Sequence, residues 1–195
     1  MFQVYNEQCL LNVRANNWVS NITTILNNLG YGNMINLHTI NINYFNIFRQ
    51  RMRDQYTQTW SDTLNSQSKM SYYKNFKTVF EFEKYLDLIK NDTIRKEFSR
   101  FRLASHNLEI ENGRQSGIAK ENRICKLCHN SSIESEYHFF MCCQTYNELR
   151  SKYIARPAWT TLNKFYNMMA SKTNKIILNN AKLVFYASKL RENKL

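Results

Sequence analysis

Apolar side chains recur every three or four positions through most of this sequence, the spacing that lines one face of an α-helix, and seldom every second position as in a half-buried strand. Trp18, Val19, Ile22, Ile25, Leu26 and Leu29 predict a helix over residues 16–29, with Gly30 placed where a helix would stop. Ile42, Phe45, Phe48, Met52, Tyr56, Trp60 and Leu64 continue the period over several turns, while Arg49, Arg51, Arg53 and Asp54 take other faces. This predicts a long amphipathic helix whose aromatic stripe is read as core, since regular helical periodicity is what burial requires. Shorter helices are expected over 69–76 and 81–89. Asp92 is a candidate cap for a helix through Ser105 that displays Arg95, Lys96, Arg100 and Arg102. The most loop-like stretch is 112–122, with Gly113 and Gly117, and the main boundary is expected there: a helical domain at 1–111, a linker at 112–122, and a second part at 123–195. In that second part helices are expected over 146–154, from Pro157 onward through Trp159, Leu162, Phe165, Tyr166 and Met169, and over 173–191. With four Gly and one Pro in the whole chain, turn-dense β-architectures are disfavoured, and the expected fold class is all-α.

Charge adds a partner class. The 195 residues carry 27 Lys and Arg against 15 Asp and Glu, a net charge of +12, which favours a polyanion over a neutral small molecule. At 43% hydrophobic residues the chain can build a core and is not a disordered tail. It has no apolar run long enough to span a bilayer, and its start lacks a basic leader followed by an apolar stretch. A soluble chain of the nucleus or cytoplasm, without a membrane partner, is therefore expected. A phosphate-binding loop, a Gly-x-Ser-x-Gly elbow and a His-Glu-x-x-His motif are all absent from the sequence, so no catalytic role is expected.

Candidate chemistry is concentrated in one place. Four of the five cysteines fall between Cys125 and Cys143, in the run CKLCHNSSIESEYHFFMCC. Cys125-x-x-Cys128 lets one tight turn aim two thiolates at an ion, and His138 with a following cysteine completes a tetrahedral Cys₃His set, which predicts zinc. His129 is an ambiguous neighbour. The fourth ligand is open between Cys142 and Cys143: on an uninterrupted α-helix Cys142 shares the face of His138, whereas Cys143 lies about 140° away. Arg100, Arg102, Arg114, Lys120, Arg123 and Lys126 crowd onto the approach to this cluster and are the candidate phosphate contacts.

The stretch Arg123-Ile-Cys-Lys-Leu-Cys128, with Ile133-Glu-Ser-Glu-Tyr-His-Phe-Phe-Met-Cys-Cys143-Gln-Thr-Tyr146 and Glu148–Tyr153, resembles the C-terminal zinc-binding region of LINE-type non-LTR retrotransposon reverse transcriptase/endonuclease polyproteins. The resemblance extends upstream through Trp60, Phe82–Asp87 and Arg102–Arg114, although only the knuckle is specific. It implies a Cys-x2-Cys, His-x4-Cys ligand set, making Cys125, Cys128, His138 and Cys143 the ligands, with the helix ending or distorting near Met141. It also implies a chain detached from the enzyme domains of a larger retroelement polyprotein, in a region that handles RNA and target DNA. The expected architecture is then a helical block with an embedded zinc knuckle and C-terminal helices. The expected function is non-catalytic binding of RNA or of single-stranded or target DNA. The alternative is a zinc-stabilised structural or protein-interaction module that binds no nucleic acid.

Overall fold

The computed structural model describes residues 18–33, 42–128, 130–154 and 160–195. Among them the fold is all-α: no strand is present, only an isolated antiparallel bridge between Ile124 and Ile133. The chain divides into two compact units, 1–63 and 64–195. The expected boundary at 112–122 falls inside the second unit, because residues 109–115 are helical and the short 3₁₀ turn Lys120–Asn122 packs on that helix. The two glycines of that stretch serve packing and helix termination, not a linker.

In the first unit α1 (Trp18–Asn28) stops where the periodicity predicts. Gly30 takes φ +79°, and Tyr31 N–H returns to Leu26 C=O at 2.7 Å, a Schellman ending that satisfies carbonyls the helix leaves open. Helix α2 (Ile42–Ser66) runs 25 residues as expected. Its aromatic stripe is not the uniform core that periodicity suggested: Phe48 and Trp60 are partly covered, but Phe45, Met52 and Tyr56 are exposed. A 3.6-residue period shows that a face exists, and not that something covers it.

The second unit is built around its last helix. Here α3 (Tyr73–Phe76), α4 (Lys84–Leu88), α5 (Asp92–Arg102), α6 (Glu109–Gln115), α7 (Asn147–Tyr153) and α8 (Leu162–Met169) precede α9 (Asn174–Lys194). Helix α9 packs against α4, α5, α7 and α8, burying Ile177, Ala181, Leu183, Val184 and Ala187. Helix α5 is capped by Asn91, whose side chain accepts from Ile94 N–H at 3.0 Å, so the cap lies one residue before the expected Asp92. It ends at Arg102, earlier than expected, because Ala104 takes the left-handed conformation at φ 49° and Ser105 N–H returns to Arg100 C=O. Thr161 caps α8; the expected role of Pro157 and Trp159 at that helix start, with Cys9 and His129, lies outside the described residues. An aromatic core joins these pieces, with ring centroids 5.5 Å apart for Phe101 and Phe139, 4.8 Å for Phe139 and Tyr146, and 5.7 Å for Phe140 and Phe165. Phe139 and Phe140 belong to an irregular turn, and that turn carries the site.

Candidate metal centre

The cysteine run folds as a small hairpin followed by a wide turn. Cys125 N–H donates to Ser132 C=O at 2.9 Å and Glu134 N–H to Arg123 C=O at 2.9 Å, closing the hairpin around the Ile124–Ile133 bridge. Thr145 Oγ1 donates to Leu127 C=O at 2.9 Å and ties the tip of the Cys125–Cys128 turn to the segment beyond Cys143. Ser135 Oγ accepts from His138 N–H at 3.2 Å, fixing the start of the next turn.

That turn, His138–Cys142, is a π-helix, and Cys143 N–H bonds His138 C=O at 2.7 Å, five residues back. The wider ring slows the winding, and Cys143 then leaves the helix with ψ 121°. Its thiol thereby returns to the His138 side, which an unbroken α-helix would have denied it. The same turn sends Phe139, Phe140 and Met141 into the core, all under 4% exposed. Cys142 is left outside the cluster, beside Tyr137. The choice that residue spacing left open is thus decided for Cys143.

The Sγ atoms of Cys125, Cys128 and Cys143 and a ring nitrogen of His138 all lie within 4.8 Å of one another, an arrangement that could hold a metal ion. Cys125 and Cys143 sulfurs are 3.9 Å apart, and Cys128 Sγ lies 3.3 Å from His138 Nε2. Zinc–sulfur bonds of about 2.3 Å in a tetrahedron require sulfur pairs about 3.8 Å apart, so the donor set fits such an ion in number, element and span. Without metal, burial and the hydrogen bond to Cys143 push the Cys125 thiol up to about 12, the bond being the larger cause, while the same bond lowers Cys143.

Around the ligands lies a shell of buried charge that the residue pattern did not disclose. Arg150 is buried, donates to the carbonyls of Phe139 and Phe140 at 3.4 Å and contacts that of Cys143, so it caps the open end of the π-turn. Burial lowers its pKa, and the sulfurs of Cys143 and Cys142 oppose that shift. Glu134, 1% exposed, receives both arms of Arg191 from α9 at 2.8 Å and accepts Glu109 N–H at 2.7 Å, while its Oε1 lies 3.9 Å from Cys125 Sγ. Glu136 Oε1 is 3.1 Å from His106 Nε2, a close contact that does not form a hydrogen bond. Glu134 and Glu136 are buried partners of a cation from α9 and of a histidine, and no local spacing reveals either.

Five of the six candidate phosphate contacts are engaged by partners within the protein. Arg102 is buried, bound to both carboxylate oxygens of Glu83 at 3.0 and 3.1 Å, donating to Met169 C=O, and lying 4.7 Å over the Phe76 ring. Arg123 spans α6, donating to Ile110 C=O at 3.0 Å and Ile118 C=O at 2.9 Å, and a Cβ on Gly113 would come within 2.6 Å of its side chain. That glycine is there to let the arginine pass. Arg114 is paired with Glu111 at 2.7 Å, Arg100 with Glu97 at 3.3 Å, and Lys126 with Glu109 at 3.0 Å. Of the six, Lys120 alone is exposed and outside these pairs. No family model, curated protein or solved structure matches this chain. No helix among the described residues is long and apolar enough to cross a membrane.

Proposed function

We propose that the chain is a zinc-binding, non-catalytic nucleic-acid module in which Cys125, Cys128, His138 and Cys143 hold the ion. Zinc suits three thiolates and one imidazole in a closed tetrahedron; this donor set would carry a net charge of −1 with a divalent ion, and Arg150 is a buried cation beside it. Four protein ligands leave no position for an activated water, and the nearest carboxylate, Glu134, is held by Arg191. The ion's role on this reading is to lock the hairpin to the π-turn. The ligand spacing carries the proposed kinship with the C-terminal region of LINE-type retroelement proteins.

The observation that carries the nucleic-acid reading is the placement of charge: residues 144–195 hold ten Lys and Arg against two acidic residues, Glu148 and Glu192. Of the ten, Lys172 and Arg191 are ion-paired and Arg150 is buried, and the excess that remains favours a phosphate backbone. The competing reading, a zinc-stabilised interaction module, is favoured by the engagement of five of the six candidate cations inside the protein. Metal analysis of the purified chain, with titration of single-stranded RNA and DNA at two salt concentrations, separates them. A nucleic-acid module shows one zinc per chain and an affinity that falls with log salt at about −0.7 per phosphate neutralised. Zinc at one equivalent with no binding at low salt leaves the interaction module.

A further inference from the structure

The charge excess of the last third of the chain is arranged. On α9, Lys175, Lys182 and Lys189 are seven residues apart, so they form one line drifting only about 20° per step and extending about 21 Å. Tyr186 falls on the same line, four residues after Lys182 and three before Lys189. All four side chains are exposed, and Asn179 fills the remaining position of the stripe. Ile177, Ala181, Leu183, Val184 and Ala187 are spent on the core, Ile176 is exposed off the line and Leu178 and Leu190 are half-buried at its margins, so the line itself carries no Leu, Ile or Val.

Helix α7 completes the surface. Tyr153 stacks on Tyr186 with centroids 5.7 Å apart and planes within 2°. Tyr186 is nevertheless 42% exposed, so part of its ring stays open beside the Tyr153 stack. Phe185 meets Tyr186 edge-on at 5.3 Å, Lys152 Nζ lies 5.5 Å from the Tyr153 ring and Lys189 Nζ 4.6 Å from the Phe185 ring. None of Lys152, Lys175, Lys182 and Lys189 enters an ion pair among the described residues. On α5 the pattern is the reverse, since Arg95, Arg100 and Arg102 are each met by a carboxylate, from Asp92, Glu97 and Glu83. The acidic residues of α7 and α9 are Glu148 and Glu192, neither on the lysine line.

We propose that this line, Lys175, Lys182, Tyr186 and Lys189 with Lys152 and Tyr153, binds a single nucleic-acid strand. The lysines follow its phosphates, and an unpaired base stacks on the exposed part of the Tyr186 ring. The proposal rests on the nucleic-acid reading above and moves the binding surface from the approach to the metal cluster to α7 and α9. A single strand fits better than a duplex because only an unpaired base has a free π-face for an open tyrosine, and ring stacking is indifferent to sequence. A lipid surface fits less well because the stripe has no aliphatic side chain to insert.

The test is fluorescence anisotropy of labelled single-stranded oligouridylate with the full, metal-loaded chain. Variants are Tyr186→Ala, Tyr186→Phe, Lys182→Glu with Lys189→Glu, and Lys90→Glu as an exposed charge control on another face; each is checked for helicity and metal content. Stacking on one base predicts that Tyr186→Ala weakens binding roughly five- to a hundredfold while Tyr186→Phe retains it. Removing two phosphate contacts lowers the salt slope by about 1.4, and Lys90→Glu has a much smaller effect. Wild-type binding that survives both the Tyr186→Ala and the double lysine change overturns this surface but leaves the nucleic-acid reading intact. Absence of wild-type binding at low salt overturns both. Duplex bound as tightly as the single strand, or anionic phospholipid vesicles bound with the same dependence on Tyr186, also overturns it.

Discussion

Replacing Arg191 with Met tests whether the metal hairpin depends on the last helix. The guanidinium makes two 2.8 Å contacts with Glu134 and one of 3.3 Å with Glu109, and all three side chains are buried. Methionine preserves most of the volume, so little of the loss comes from a cavity. What remains is Glu134 with its oxygens held only by Glu109 N–H and the edge of Cys125. Glu109 keeps Lys126, but that lysine is 60% exposed and compensates weakly. Removing one partner of a buried pair costs about 3–5 kcal/mol, a large share of the 5–15 kcal/mol typical of a domain. Urea denaturation of metal-loaded protein, followed by circular dichroism, should show the midpoint fall by that equivalent. Pairing Arg191→Met with Glu134→Gln should recover a good part of it, because the stranded charge is then gone. A loss below about 1 kcal/mol, or a double variant no more stable than the single, would refute the reasoning.

Three further outcomes follow from the metal site. Cys143→Ser should abolish stoichiometric zinc or cobalt binding, while Cys142→Ser should leave it within about twofold, read from metal content and the cobalt–thiolate absorption. Chelation should loosen residues 123–146 and leave α5 and α9 helical, so hydrogen exchange should rise in the hairpin and π-turn while far-ultraviolet dichroism changes by only a small fraction; collapse of the whole helical signal would contradict this. Metal affinity should rise with pH between about 6 and 8. Cys125, held near 12 without metal, is a protonated thiol there, so the ion must displace its proton, and the metal-free hydrogen bond that favours the protonated form is lost only as pH passes that value. Competition titrations with a zinc chelator at several pH values measure the slope, and a pH-independent affinity would exclude a thiolate site.

Local pattern along the chain was enough for most of the helices, for the stop at Gly30 and for the two-residue gap of Cys125 and Cys128, because hydrogen-bond period, left-handed turns and ligand spacing are short-range properties; it missed the helix Glu109–Gln115, whose glycines read as a linker. It could not separate Cys142 from Cys143 by spacing, since that choice depends on one hydrogen bond reaching five residues back, and the wider turn is held by Phe139 and Phe140 in a core assembled from distant helices. Nor could it separate free cations from committed ones. Arg102 reads as displayed charge and nothing in the sequence marks Arg191, until the fold brings Glu83 and Glu134 to them across 19 and 57 positions. Sequence alone determined that this is a helical, basic chain with a metal-ligand cluster. Tertiary structure alone decided which thiol joins the cluster and which lysines remain available to a polyanion, because burial and pairing are set by contacts that no local period encodes.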